Sequence, residues 1–218
     1  MSHILLITSS PRLASHSTRV AHALAEQLVA REPGSTLTVR DLARNPLPHI
    51  DDSFAAARGM PADELTPTQK ASLALSDRLL EELFAADHII IAAAMINFGI
   101  PSSLKAYIDH IVRPRVTFNY SAEGPEGLLK GRKAHLVVAR GGVYSEGPMQ
   151  QLNFQDTYLR TVLAFIGLVD VELIAVEGVA FGPEAAERAV DNALAKVSAI
   201  AAAPGSTHAH RATSGLVA

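Results

Sequence analysis

Five short apolar runs alternate with longer segments whose apolar residues recur at helical spacing, and this alternation constrains the chain more than any other feature. Strands separated by helices cannot join through tight hairpins; they pair in parallel, with the helices crossing over both faces of the sheet. The runs fall at residues 3–8, from 36 to 39 and onward, and at 87–94, 133–139 and 171–176. The third, DHIIIAAA, carries an unbroken apolar stretch, which predicts burial on both faces at the centre of the sheet.

The intervening segments supply the helices. Val20, Leu24 and Leu28 at i, i+4, i+8 predict the first. Thr66-Pro67-Thr68-Gln69 reads as a capping box with Pro at the first helical position, followed by Leu75, Leu79 and Leu83 on one face. Leu104, Tyr107, Ile108 and Ile111 predict a third helix, residues 149–166 a fourth with an aromatic-bearing face, and Pro183 opens an Ala-rich fifth with Val190, Leu194 and Val197 on one side. The stretch before Thr66, rich in Pro, Asp and Ala, reads as a long loop. After the third helix, Val116, Phe118 and Tyr120 alternate with Thr117 and Asn119, and Gly124, Pro125 and Gly127 signal turns; this predicts a small hairpin flap added to the sheet. Five β–α units in 218 residues match an α/β, flavodoxin-like, doubly wound five-stranded parallel sheet of order 2-1-3-4-5. The domain is expected to cover residues 1–202, and residues 203–218, without period and mixing Gly, Ser, Thr and His, to form a disordered tail.

Composition narrows the chemistry. With 48% hydrophobic and 19% charged residues the chain suits one compact domain with a full core. A formal net charge of -3 without a basic stripe argues against nucleic acid as a partner. The absence of cysteine removes thiol redox chemistry, thiolate zinc sites and iron–sulfur clusters, so any electron transfer requires a bound cofactor. No segment reaches the length of a membrane span or reads as a signal peptide, and the expected location is the cytoplasm.

In such a sheet, ligands bind outside the carboxyl ends of the strands where strand order reverses, which selects three loops. The first, SSPRLASHST, carries Ser9, Ser10, Ser15, Ser17 and Thr18 ahead of a helix. Free N–H groups and the helix dipole there favour an anion, and hydroxyls add donors; equally, Ser17 can simply cap the helix. The second, AMINFG, places the polar Asn97 at the end of a central strand, either as a turn residue or as an amide offered to a ligand. The third, ARGGVYSEGP, holds Gly141-Gly142, which either form a plain turn or let backbone amides approach a flat ligand. No GxGxxG, P-loop or GxSxG motif is present, and the histidines have no metal-site spacing, so neither a catalytic side chain nor a metal site is expected.

In these loops and the segments around them, the chain resembles the bacterial FMN-dependent NADH azoreductases, also called FMN-dependent NADH:quinone oxidoreductases. The resemblance runs from His3 to about Ala203 and is most specific over MINFGIPSSLKAYIDHIVRPRVTFNYSAEGPEGLLKGRKA, the RGG loop and FIGLVDVELIAVEGVAFGPE. It implies a homodimer with one tightly bound FMN per subunit and NADH as co-substrate. The family's phosphate-binding positions fall on Ser10, Ser15, His16 and Ser17, and its flavin-contacting loops on Met95, Ile96, Asn97 and Phe98 and on Ala139, Arg140, Gly141 and Gly142. Phe118, Tyr120 and Phe165 are similar to aromatic positions that wall the substrate pocket, partly across the dimer; core packing is the alternative for these three.

The resemblance implies a ping-pong reaction in which NADH and then a quinone or azo compound use one pocket, without a protein nucleophile. The rival reading is a flavodoxin-type FMN electron carrier that does not turn over NADH. Ala94 and Ile96 stand where relatives commonly have Pro and an aromatic residue, and Ala139 where a Ser is frequent. Arg12, Arg58 and Arg140 are candidates to meet the 2′-phosphate of NADPH.

Overall fold

The computed structural model describes residues 1–203; all but the first residue of the expected tail lies outside the described residues. Strands β1 (His3–Thr8), β2 (Thr36–Asp41), β3 (His88–Ala94), β6 (Lys133–Ala139) and β7 (Asp170–Val176) form one parallel sheet of order β2-β1-β3-β6-β7. This is the expected 2-1-3-4-5 order, because β4 (Phe118–Ser121) and β5 (Gly124–Gly127) belong to the hairpin. The hairpin is a separate two-stranded sheet and not an extension of the main one, as the sequence had suggested.

The alternation of side chains along each strand divides the core in two. Ile89, Ile91 and Ala93 join Leu5, Ile7 and Leu136 under α3 (Pro67–Ala85), α4 (Ser102–Ile111) and α5 (Gln155–Phe165). Ile90 and Ala92 join Ile4, Leu6 and Val137 under α1 (His16–Arg31) and α6 (Pro183–Ala202). Helix α3 starts where its capping box requires: the Thr66 hydroxyl accepts from the Gln69 N–H, and the Gln69 side chain accepts from the Thr66 N–H.

Two local expectations differ. The supposed long loop contains α2 (Asp52–Ala57), capped by Asp51, whose carboxylate accepts the Phe54 N–H at 2.8 Å; Phe54 and Ala57 then bury against Leu73. An Asp cap followed by apolar residues at i+3 and i+6 was the signal available in the sequence. The helix expected over 149–166 is interrupted, with a 3-10 turn at Pro148–Leu152 and α5 only from Gln155. Between them the Phe154 N–H donates to the Phe98 carbonyl at 3.1 Å, so long-range contact overrides helical propensity there.

At the opposite, amino-terminal edge of the sheet, the His135 and His88 rings stack with Nε2 and Nδ1 3.1 Å apart. Burial, then the neighbouring His88 and Lys133 charges, push His135 down to about 3, which keeps the ring neutral inside the core.

Candidate active site

The carboxyl ends of β1, β3 and β6 are neighbours, with Thr8 beside Ala92 and Ala94 beside Ala139, so the three selected loops meet at one edge. In the first loop, the Ser9 hydroxyl donates to the Ala92 carbonyl at 2.8 Å and ties the strand ends together. Ser15, not Ser17, is the cap of α1: its hydroxyl accepts the Thr18 N–H at 3.3 Å. Ser17 is fully buried with its hydroxyl 3.1 Å from that of Ser15. The first-turn N–H groups of His16 and Ser17 have no partner within the helix, and the first turn has no acidic residue. Two hydroxyls thus lie beside the positive end of α1, where an anion would be favoured, and Ser10 of the same loop is buried.

In the second loop, the Met95 N–H extends the sheet by donating to the Ala139 carbonyl at 2.8 Å. Ile96 and Gly99 then exchange two backbone hydrogen bonds of 3.0 Å around Asn97 and Phe98, whose φ angles are 47° and 69°. Two consecutive left-handed residues make this a mirror-image hairpin turn, which Asn accepts readily and a bulky Phe does not. Asn97 is therefore a turn residue by its backbone, and its side chain stands exposed at the sheet edge. Ile96 and Phe98 are each 42% exposed beside it. The Phe98 ring meets Tyr144 of the third loop edge-on at 6.3 Å, joining the two loops.

In the third loop, the carbonyls of Arg140, Gly141 and Gly142 turn back into the protein and accept from the N–H groups of Val179, Ala180 and Gly178 at 3.3, 3.0 and 3.0 Å. Among the described residues, the N–H groups of Gly141 and Gly142 donate to nothing. A Cβ on Gly141 would come within 3.3 Å of Ala180, and one on Gly142 within 3.2 Å of the Tyr144 ring, so the loop is closely packed from behind. The Arg140 side chain leaves the loop: Nε donates to Gln155 Oε1 at 3.0 Å, Nη1 to Glu177 Oε1 at 2.9 Å and Nη2 to Asp156. That removes it as a contact for a 2′-phosphate, while Arg12 and Arg58 are exposed. Gln155, Asp156, Glu177 and Tyr144, which organise this loop, were not singled out by any spacing or motif.

Phe118, Tyr120 and Phe165 do come together, with Phe118 4.5 Å from Phe165 and 5.4 Å from Tyr120 between ring centres. They lie at the other edge of the sheet. The hairpin leads through Arg132, which donates to the Phe84 carbonyl at 2.8 Å, into the start of β6. The length of a seven-residue strand, roughly 20 Å, separates the two edges. Phe118 is buried, whereas Tyr120 is 75% exposed. A groove of about 700 Å³ beside the hairpin, lined in part by Pro125, Lys130, Ala164 and Val169, contains none of the three loops.

A family described as having the flavodoxin-like fold matches residues 2–201. An FMN-dependent NADH:quinone oxidoreductase of Rhizobium leguminosarum bv. trifolii is 53% identical over 203 residues, covering 93% of this chain and 100% of its own. A protein of the same name from Agrobacterium fabrum is 50% identical over 204 residues, with 93% and 100% covered. Among solved structures, an azoreductase from Bacillus anthracis superposes with a TM-score of 0.84 at 28% identity, over 92% of this chain and 99% of that one. An FMN-dependent NADH-azoreductase of the same organism, in complex with FMN, gives 0.80 at 26% identity, over 91% and 99%. With its sheet order, its three loops and these relatives, the chain belongs to the flavodoxin-like family of FMN-dependent NADH:quinone oxidoreductases.

Proposed function

We propose that the chain catalyses FMN-dependent transfer of a hydride from NADH to quinones, and to aromatic azo compounds, at the loop edge of the sheet. In balance, NADH, a proton and a quinone give NAD⁺ and a hydroquinone. The residues fit the cofactor. Ser10, Ser15, His16 and Ser17 would hold its phosphate at the start of α1, where free N–H groups and hydroxyls converge. Met95, Ile96, Asn97 and Phe98, together with Ala139, Gly141 and Gly142, would receive the ring, while Arg140, buried and with both backbone groups engaged, would support them from within. Bound FMN supplies a two-electron redox couple, which the side chains of a cysteine-free chain do not.

The observation that carries this reading is the pair of unengaged N–H groups at Gly141 and Gly142, fixed by the reversed carbonyls behind them. Preorganised donors of this kind stabilise negative charge that develops on a ring during reduction. The exposed Asn97 amide adds a polar group on the neighbouring loop, and Ile96 and Phe98 add apolar surface that excludes water. No side chain is assigned as general acid or nucleophile.

The working unit is a homodimer in this reading. Phe118, Tyr120 and Phe165 stand an edge away from the loops of their own chain, so they serve as substrate-pocket walls only when a second copy brings them across. The exposure of Tyr120, Phe98 and Phe154 supports such burial between copies. We place the protein in the cytoplasm with the NADH pool; among the described residues no helix is long and apolar enough to cross a membrane.

Steady-state kinetics test the proposal. Initial rates with NADH varied at several fixed quinone concentrations are expected to give parallel double-reciprocal lines, with quinone kcat/KM well above that for an azo dye. Absence of NADH turnover by FMN-loaded protein would identify an electron carrier instead.

A further inference from the structure

Arg140 follows directly on a central strand, yet the residue is only 1% exposed and its side chain lies inside the molecule. Gln155, fully buried, accepts from Arg140 Nε with its carbonyl oxygen and donates from Nε2 to the Ala93 carbonyl at 3.0 Å. A guanidinium can only donate, which fixes the orientation of that amide. Glu177 Oε1 accepts Arg140 Nη1 at 2.9 Å and also the Tyr144 N–H at 2.8 Å. Asp156 takes Nη2 and lies 3.8 Å from Arg160 Nε. One planar group is thus tied, at one remove, to the strand end that leads into Ile96–Gly99 and to the residue two places beyond Gly142.

We infer that Arg140 is a positioning residue, whose buried fork holds the Asn97-Phe98 turn and the Gly141-Gly142 amides at a fixed separation for the flavin ring. The inference rests on the proposed FMN reading of these loops. The chemistry of the group suits the role. A guanidinium is rigid and places three hydrogen bonds in one plane, so a shift at one arm is transmitted to the others; an ammonium on a flexible stem does not do this. Ring-binding loops need support of this kind because their own outward N–H groups must stay unengaged until the cofactor arrives.

The test uses Gln155→Met, which removes one arm with little change of volume. Amide hydrogen exchange is measured on the full chain freed of FMN. The hydrogen-bonded amides of Met95, Ile96 and Gly99, and also that of Tyr144, which Gln155 does not touch, are expected to exchange about tenfold faster, while the core strand β1 is unchanged. FMN binding, followed by flavin fluorescence quenching, should weaken by about tenfold. Acceleration confined to 93–99, or spread evenly through β1, would overturn the inference: the first makes the arms independent, the second makes Gln155 a general packing residue. Should Gln155→Met fail to fold, Arg140→Lys is read by the same criteria. Because exchange is recorded without FMN, failure of the unaltered chain to bind FMN would count against the function reading alone.

Discussion

Replacing Arg140 with methionine is expected to destabilise the fold by about 3–5 kcal/mol, read as a fall in the denaturant midpoint at unchanged slope. The Arg140 side chain is fully buried, and the Asp156 and Glu177 side chains are each only 13% exposed. Without the guanidinium, two carboxylates face each other's charge with little water, and the Gln155 carbonyl loses its donor. The cost comes from what is left unpaired and not from the value of the ion pairs, because burial offsets most of their attraction. Adding Asp156→Asn and Glu177→Gln to the variant should therefore recover a large part of the loss. A loss below about 1 kcal/mol for Arg140→Met, the scale of an exposed pair, would mean that the carboxylates simply turn to solvent.

The second large effect is expected at Gly127, where β5 meets the end of α5. A Cβ there would lie 2.1 Å from the Gly167 nitrogen and 2.4 Å from Gly167 Cα and the Ile166 carbonyl carbon, all backbone atoms that cannot rotate away. Gly167 has a φ of 100° and so has no easy alternative conformation. Gly127→Ala must push the hairpin off α5, stretching the 2.9 Å bond from the Leu129 N–H to the Ile166 carbonyl and opening the Phe118–Phe165 contact. We expect a loss of about 2–3 kcal/mol in thermal or denaturant unfolding. FMN affinity should change little, since the loops are at the other edge, whereas the quinone KM should rise if the hairpin aromatics wall the partner's pocket. An unchanged unfolding midpoint would show that the hairpin is not braced at this point.

Features governed by local rules were legible in the sequence. The capping box at Thr66, the double-sided burial of β3 and the helical faces through Leu24 and Leu104 each follow from spacing within a few residues. Sheet order followed from the alternation of strand and helix, and with it the edge where the three loops meet. Features set by distant partners were not legible. Arg140 stands beside two glycines in sequence and reads as part of their loop, but its side-chain direction is decided by Gln155 and Glu177, 15 and 37 residues away. The break before Gln155 depends on a carbonyl at Phe98 that no window around residue 154 contains. The hairpin was visible as alternation and turns, while its seat on the end of α5, with Gly127 against Gly167, joins residues far apart in sequence. In the first loop the error was two residues: Ser15 and Ser17 are both adequate caps, and only the backbone decides that Ser15 serves.

The left-handed Asn97-Phe98 turn joins both levels. Asn-containing two-residue turns are a recognisable local signal, but a Phe with φ of 69° is not. Its place is held by the Phe154 N–H on its carbonyl and by the Tyr144 ring. The strained residue is thus held by contacts from two other loops, at the edge of the sheet opposite the histidine pair.

Electrons are expected to pass from NADH through FMN at this edge to a quinone. The most direct measurement is anaerobic mixing of the FMN-loaded protein with one equivalent of NADH, followed by a quinone, with the visible flavin absorption recorded throughout. Bleaching on NADH addition and full return of the yellow colour on quinone addition, in equal electron equivalents, are expected. Flavin that stays oxidised in the presence of NADH would contradict this electron path.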